Sequence, residues 1–177
     1  MSKLFPTQEI GSLAKPRWRV KGYNGEVLSK DEIAEAINWG RKLKIDNLDA
    51  LVSLLGERDS TSRRKAILEW SAKYAIRFFQ AAGLDIFFDG EQWRSEMYEH
   101  VMKNAGGFKF LGYVKSFDYR YFNKAACVGK PKYVKPIYLG EFTFTKEHAK
   151  KIVKVPFTGS YTLVDWTFNE YYEKKFS

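Results

Sequence analysis

A chain of 177 residues is long enough for one domain of ordinary size, with a core that needs no covalent staples. Its composition, 45% hydrophobic and 29% charged, excludes a disordered chain, and its single cysteine, Cys127, excludes an internal disulfide and fits a reducing compartment. A net charge of +9 beside 14 Phe, 11 Tyr and 5 Trp admits a nucleic-acid binder or a surface of dispersed lysines, and the spread of the basic residues favours the lysines.

Residues 7–10 read as a short strand stopped by Gly11 and Ser12, and residues 14–25 read as a loop punctuated by Pro16 and Gly25. Ser29 followed three residues later by Glu32 is a capping box, so a helix is expected from there to about Lys44. Leu48, Leu51, Val52 and Leu55 have the spacing of a second helix, closed by Gly56. The strongest helix starts near Thr61. Two adjacent stripes, Ile67, Trp70, Tyr74, Phe78 and Leu68, Ala72, Ala75, Phe79, give it the wide apolar face of a helix packed on a sheet. Residues 84–88 read as a buried strand ended by Asp89-Gly90-Glu91, and residues 92–105 as a helix.

From Phe108 to Pro136 aromatic and polar residues alternate without a helical period, which predicts an extended hairpin. Residues 137–144 read as the next core strand, 146–153 as a short helix capped by Thr145, 155–159 as a fourth strand, and 168–176 as a fourth helix. No apolar run approaches the roughly 20 residues of a membrane span. The first residues lack the h-region of a signal peptide, so the expected location is the cytoplasm.

Strands alternating with helices imply a parallel sheet with right-handed crossovers. About four such units make half of a (β/α)8 barrel, which ordinarily needs around 250 residues. The fold class expected is therefore α/β, a partial TIM-type barrel with a hairpin excursion after its second unit, forming one truncated domain over residues 1–177. A complete small doubly wound domain is the alternative. It would show a glycine-rich phosphate turn after its first strand, and Ile10-Gly11-Ser12-Leu13 is too short for one.

Four segments carry a resemblance. Residues 5–13, with Ile10-Gly11-Ser12, resemble the opening strand of the catalytic barrel in cobalamin-independent methionine synthases. Asp89-Gly90-Glu91 is similar to that family's acidic turn after the second strand. Gly107-Phe108 through Val114-Lys115-Ser116-Phe117 resembles its Gly-Phe … Val-x-Ser-aromatic stretch, and residues 157–168 its Thr-Gly-Pro-x-Thr … Trp-Ser-Phe segment, with Ser160 where the family commonly has Pro.

The resemblance implies methyl transfer to the thiol of homocysteine to give methionine. Ile10, Gly11, Ser12 and Glu91 would hold the amino-acid end of homocysteine. Glu91, at a strand end, suits a substrate ammonium group, although an acid there also suits a helix N-terminus. Trp166 would stack on a flat methyl donor, its alternative being a core tryptophan. Arg120, four residues after Ser116, matches an arginine near the donor. The family's zinc, which makes the homocysteine thiol a nucleophile, is expected for the complete enzyme, with its Cys and His ligands in the second half of the barrel and none in this chain. Cys127 has no partners at ligand spacing, and His100 and His148 fall on expected helices.

The implied partners are homocysteine or methionine, a methyl donor that is a folate, a corrinoid or another methylated carrier, and a second half-barrel polypeptide or another copy of the chain, since a half barrel leaves strand edges open. Two other readings stand beside this one. One is a non-catalytic scaffold half of a split enzyme. The other is a basic RNA-binding protein that stacks bases on the aromatic excursion.

Overall fold

The computed structural model describes residues 4–117 and 120–173, with the side chains of residues 116, 117 and 120 outside the description. Seven helices and five short or hairpin strands occur among the described residues. They fall into two compact units, one from the first 93 residues with 140–155, the other from 94–139 with the residues after 155.

The first unit begins with a bridge and a run of helices. Gln8 pairs in parallel with Ile86, and Thr7 accepts at its carbonyl from the N–H of Asp85 (3.0 Å) and of Ile86 (3.1 Å). The segment read as a loop over 14–25 instead holds helix α1 (Arg17–Asn24). Pro16 stands at its N-cap, and Gly25 ends it at φ 75°, where a side chain is disfavoured. Proline and glycine, taken as loop punctuation, are here the two boundaries of a helix.

α2 (Lys30–Lys42) begins at the expected capping box: Ser29 Oγ accepts from Glu32 N at 3.2 Å, and Ser29 N donates to Glu32 Oε2 at 2.9 Å. α3 (Leu48–Gly56) and α4 (Thr61–Ala81) follow the expected spacings. Trp18, Ala36, Leu51, Leu55, Ile67 and Tyr74 form the buried centre of these four helices. α2 passes so close to its neighbours that a Cβ at Gly40 would sit 2.4 Å from Leu48 Cδ2 and 2.6 Å from the Tyr74 hydroxyl. Arg63 is buried at the start of α4. It donates to the carbonyls of Gly22 (2.6 Å), Leu54 (3.0 Å) and Leu55 (3.0 Å) in the last turns of α1 and α3, the first two of which also accept from the capping N–H groups of Gly25 and Glu57.

Strand β1 (Ile86–Phe87) is the second parallel segment, and β4 (Ile152–Val153) pairs in parallel on its other side, with Lys154 N donating to Phe87 O at 2.9 Å. Ala75, Ile76 and Phe79 of α4 cover these strands, with Phe79 stacked on Phe88 at 5.1 Å. The expected strand over 137–144 is instead helix α6 (Leu139–His148), and Thr145, expected as a cap, is buried inside it. Alternating aromatics in Glu141-Phe142-Thr143-Phe144 suggest a strand. Their packing decides otherwise, with Phe144 and Ala149 against the Phe79 cluster and Phe144 5.7 Å from Trp93.

In the second unit, the helix expected over 92–105 is confined to α5 (Met97–Met102), capped by the Glu96 carboxylate, which accepts from Tyr98 N (2.7 Å) and Glu99 N (2.9 Å). The expected hairpin is present as β2 (Ala105–Phe117) and β3 (Arg120–Tyr133), antiparallel. Residues 155–159, expected as a fourth strand, form no strand and lead into α7 (Ser160–Asp165) with Gly159 at its N-cap. The expected C-terminal helix is absent over 168–173. Phe168–Asn169 is strand β5, pairing in parallel with Ala126 and Cys127, and residues 174–176 of that expectation lie outside the described residues. Tyr98, Met102 and Ala125 make the buried core of this unit, with Phe108, Phe122, Leu163 and Trp166 against it.

Candidate functional site

Three parallel segments of the first unit, at Gln8, Ile86–Phe87 and Ile152–Val153, run in one direction, so the loops that leave their C-terminal ends gather on one side. Two of those loops carry the residues expected to hold an amino acid. Gly11 turns at φ 86°, which calls for glycine, and an added Cβ there would meet nothing within 4 Å. Ile10 is 84% exposed and Ser12 is exposed, so this loop offers backbone and hydroxyl groups to solvent.

The second loop, Asp89-Gly90-Glu91-Gln92, is held tightly. Leu13 N donates to Gly90 O at 3.1 Å, which joins it to the loop of Gly11 and Ser12. Gly90 lies at φ 67°, and a Cβ there would come within 2.9 Å of Ala75 Cβ and 3.1 Å of Leu13 Cβ. Asp89 is buried, and its Oδ1 accepts from Glu91 N at 3.0 Å. Glu91 itself is half-buried at φ 58°, a backbone state that glutamate seldom adopts and that marks a position held by its surroundings.

Gln92 completes the arrangement and was missed by sequence reasoning. It is fully buried, and its Nε2 donates to Leu13 O (3.0 Å) and Gly90 O (3.2 Å). Its Oε1 accepts from Ser71 Oγ (2.7 Å), and its carbonyl accepts from Arg19 Nη2 (2.7 Å). The only local signal is a Gln directly after an Asp-Gly turn; its partners at 13, 19 and 71 are beyond any sequence window. Ile10, Gly11, Ser12 and Glu91 are thus brought onto two hydrogen-bonded loops.

The residues expected near a methyl donor lie in the second unit. Trp166 follows α7, half-buried, with its ring 4.8 Å from that of Phe122 and 6.1 Å from that of Tyr98. Arg120 opens β3, and its side chain lies outside the described residues. The Tyr98 hydroxyl accepts from Ala125 N (3.1 Å) and donates to Thr167 Oγ1 (2.9 Å), which in turn donates to Leu163 O (2.5 Å). Loss of solvent pushes the Tyr98 phenol above its ordinary pKa, so it remains a proton donor in this chain of bonds. A cavity of about 470 Å³ in this unit is lined mainly by apolar groups, among them Met102, Phe108, Leu163 and Cys127.

Cys127 is buried, with Sγ 3.3 Å from Gly129 O. His100 and His148 are both half-buried, each bonded through one ring nitrogen to a carbonyl, of Ile137 (3.2 Å) and of Phe144 (2.8 Å) respectively. Among the described residues no three His, Cys, Asp or Glu side chains are grouped to hold a metal ion. No helix among them is long and apolar enough to cross a membrane.

Comparisons with known proteins show the family. The family described as the cobalamin-independent synthase catalytic domain matches residues 47–175. Methionine synthase of Pyrococcus horikoshii is 39% identical over 176 residues, covering 97% of this chain and 43% of the relative. That of Thermoplasma acidophilum is 31% identical over 170 residues, covering 96% of this chain and 40% of the relative. The chain therefore spans less than half the length of these relatives. A B12-independent methionine synthase from Shewanella, solved in complex with selenomethionine, superposes with a TM-score of 0.58 at 20% identity, over 66% of this chain and 35% of that one; the likeness is one of fold. The family match extends from α3 to the end of the described chain and takes in the Asp89–Gln92 turn, and the P. horikoshii relative extends it over the Gly11 loop: the chain belongs to the cobalamin-independent synthase catalytic-domain family.

Proposed function

We propose that this chain supplies the amino-acid cradle of a methionine-synthase-type methyltransferase, whose reaction moves a methyl group to the sulfur of homocysteine. The observation that carries the reading is the pair of hydrogen-bonded loops at the strand ends, with Gly11 and Ser12 on one and Glu91, in its held left-handed conformation, on the other. The N–H and hydroxyl groups of Gly11 and Ser12 suit a substrate carboxylate, with Ile10 leading into that turn. The Glu91 carboxylate suits the ammonium. Trp166 and Arg120 are assigned to the methyl donor, a folate or a corrinoid, and the setting is the cytoplasm.

The parallel strands are, in this reading, the opening part of a (β/α)8 barrel within a single domain. The remaining strands come from further polypeptide, a second chain or another copy. The described residues do not fit a zinc ion, because no group of ligands converges among them, and no step is assigned to a metal held here.

The test uses calorimetric titration of methionine and of N-acetylmethionine into the 177-residue protein and its Glu91→Gln variant. Loss of a charge-assisted bond should weaken the free amino acid by about tenfold or more and leave the acylated one unchanged. Equal weakening of both ligands, or no change in either, would show that Glu91 only shapes the turn.

A further inference from the structure

Two helices of the first unit each turn an i, i+4 pair toward the same place: Glu35 and Trp39 on α2, and Tyr74 and Phe78 on α4. With Trp18 of α1 they line a cavity of about 190 Å³. The rings of Trp18 and Tyr74, both buried, lie 5.2 Å apart at an angle of 57° and give the cavity a fixed inner wall. Trp39 is 44% exposed and Phe78 40%, so the outer wall opens to solvent. Aromatic rings from three helices thus border one small open cavity.

The polar hydrogens of this wall are largely spent inside the protein. Ser71 gives its hydroxyl proton to Gln92 Oε1 (2.7 Å) and Tyr74 gives its own to Ala36 O (2.9 Å), while the Gln92 amide donates to Leu13 O and Gly90 O. Among the described residues that line the cavity Glu35 alone is charged. Two cations reach lining residues from outside it. Lys42 Nζ lies 5.1 Å from the centroid of the Trp39 ring, and Arg19 donates to the Gln92 carbonyl. Neither lines the cavity. The Trp39 ring therefore already receives a cation, and an indole has a second face.

An aromatic face attracts a positive charge through the quadrupole of its ring. A primary ammonium needs acceptors for three N–H groups, whereas a methylated one presents C–H surface and suits a wall of rings beside a single carboxylate. We infer that this cavity binds a small methylated ammonium ion of the choline type, its methyl groups against Trp18, Trp39, Tyr74 and Phe78 and its charge balanced by Glu35. The inference does not depend on the amino-acid cradle.

The test is calorimetric titration of the 177-residue protein with three probes. They are choline, its neutral isostere with a tert-butyl group in place of the trimethylammonium, and ethanolamine, which keeps the charge without the methyl groups. Choline should bind about tenfold more tightly than either. Trp39→Leu with Phe78→Leu should lower choline affinity by about tenfold, and Trp39→Phe, which keeps a ring, should lose less than Trp39→Leu. Glu35→Gln should weaken choline by about threefold and leave the isostere unchanged. Glu147→Gln, at an exposed acid of α6 that does not line the cavity, should leave choline binding as it is. Circular dichroism checks that the variants fold. No binding of choline up to about 10 mM, equal affinity for the isostere, or choline affinity that the ring variants do not alter would overturn the proposal. Tighter binding of ethanolamine would overturn it in favour of a primary-amine site. Capture by phosphatidylcholine vesicles without affinity for free choline would overturn it in favour of a membrane contact.

Discussion

The side-chain amide of Gln92 donates to the carbonyl of Leu13, 79 residues earlier, at 3.0 Å. The same amide nitrogen reaches Gly90 O, and the amide oxygen takes the hydroxyl proton of Ser71. One buried side chain thus ties the two loops of the cradle to α4.

Gln92→Leu leaves the Ser71 hydroxyl and the Leu13 carbonyl without this partner. Each buried group so orphaned costs about 1–3 kcal/mol, so a loss of about 2–4 kcal/mol in urea unfolding is expected. Ser71→Ala should cost less, and the double variant should show coupling, with a combined loss smaller than the sum. Additive losses would mean that Ser71 and Gln92 act independently.

Arg63 anchors the other end of α4 by three bonds to carbonyls of α1 and α3. Arg63→Met keeps much of the apolar stem but removes one partner from each of those carbonyls, two of which keep a capping N–H, and it should destabilise by about 1–3 kcal/mol. Arg63→Lys should rescue only part of this, because an ammonium cannot reproduce the planar fork. Complete rescue by lysine in a thermal or urea melt would show that charge alone matters there.

Tyr98→Phe removes the hydroxyl that accepts from Ala125 N and donates to Thr167, while keeping the ring against Phe122 and Trp166. The expected cost is about 1–3 kcal/mol, with faster hydrogen exchange at the Ala125 amide. An unchanged exchange rate at Ala125 would place its protection elsewhere.

Two carboxyl groups set the response to acid. The hydrogen bond from Lys21 (2.7 Å) and that from Ser29 N hold Glu32 below its ordinary pKa. The bond from Arg64, through Nε at 2.9 Å, does the same for Asp59. A carboxyl whose pKa falls on folding contributes stability that is complete above its unfolded value, here 4.5 for glutamate and 3.8 for aspartate, and is lost as the pH falls through the lower folded value. Stability should therefore decline below about pH 4.5, and Glu32→Gln with Asp59→Asn should flatten that decline. An equally steep decline in the double variant would assign it to other carboxyls.

What was legible in the sequence was local. The capping box of Ser29 and Glu32, the stripes of α4 and the alternation of the hairpin each fix an element within a few residues, and the structure has all three. α1 was hidden because Pro16 and Gly25 signal a helix boundary and a loop equally well. α6 was hidden because packing, not alternation, decides the state of residues 139–148. At the cradle, Gly11 and the Asp89–Glu91 turn could be picked out as turn residues. Their union could not, since the bonds through Leu13, Ser71 and Gln92 link positions remote in sequence.

The parallel arrangement of Gln8, Ile86 and Ile152 also bears on the order of assembly. The first pairing closes a loop of 78 residues that contains α1–α4, so the entropy of closing it is lowered only after those helices have shortened the path between its ends. The expected folding order is therefore the helices first, with the sheet and the loops at its strand ends condensing later. In such an order, changes within α2–α4 slow folding, whereas changes at Leu13, Gly90 or Gln92 mainly hasten unfolding. Unfolding rates of variants at Leu13, Gly90 and Gln92, set against folding rates of variants within α2–α4, are the measurement that reads this order.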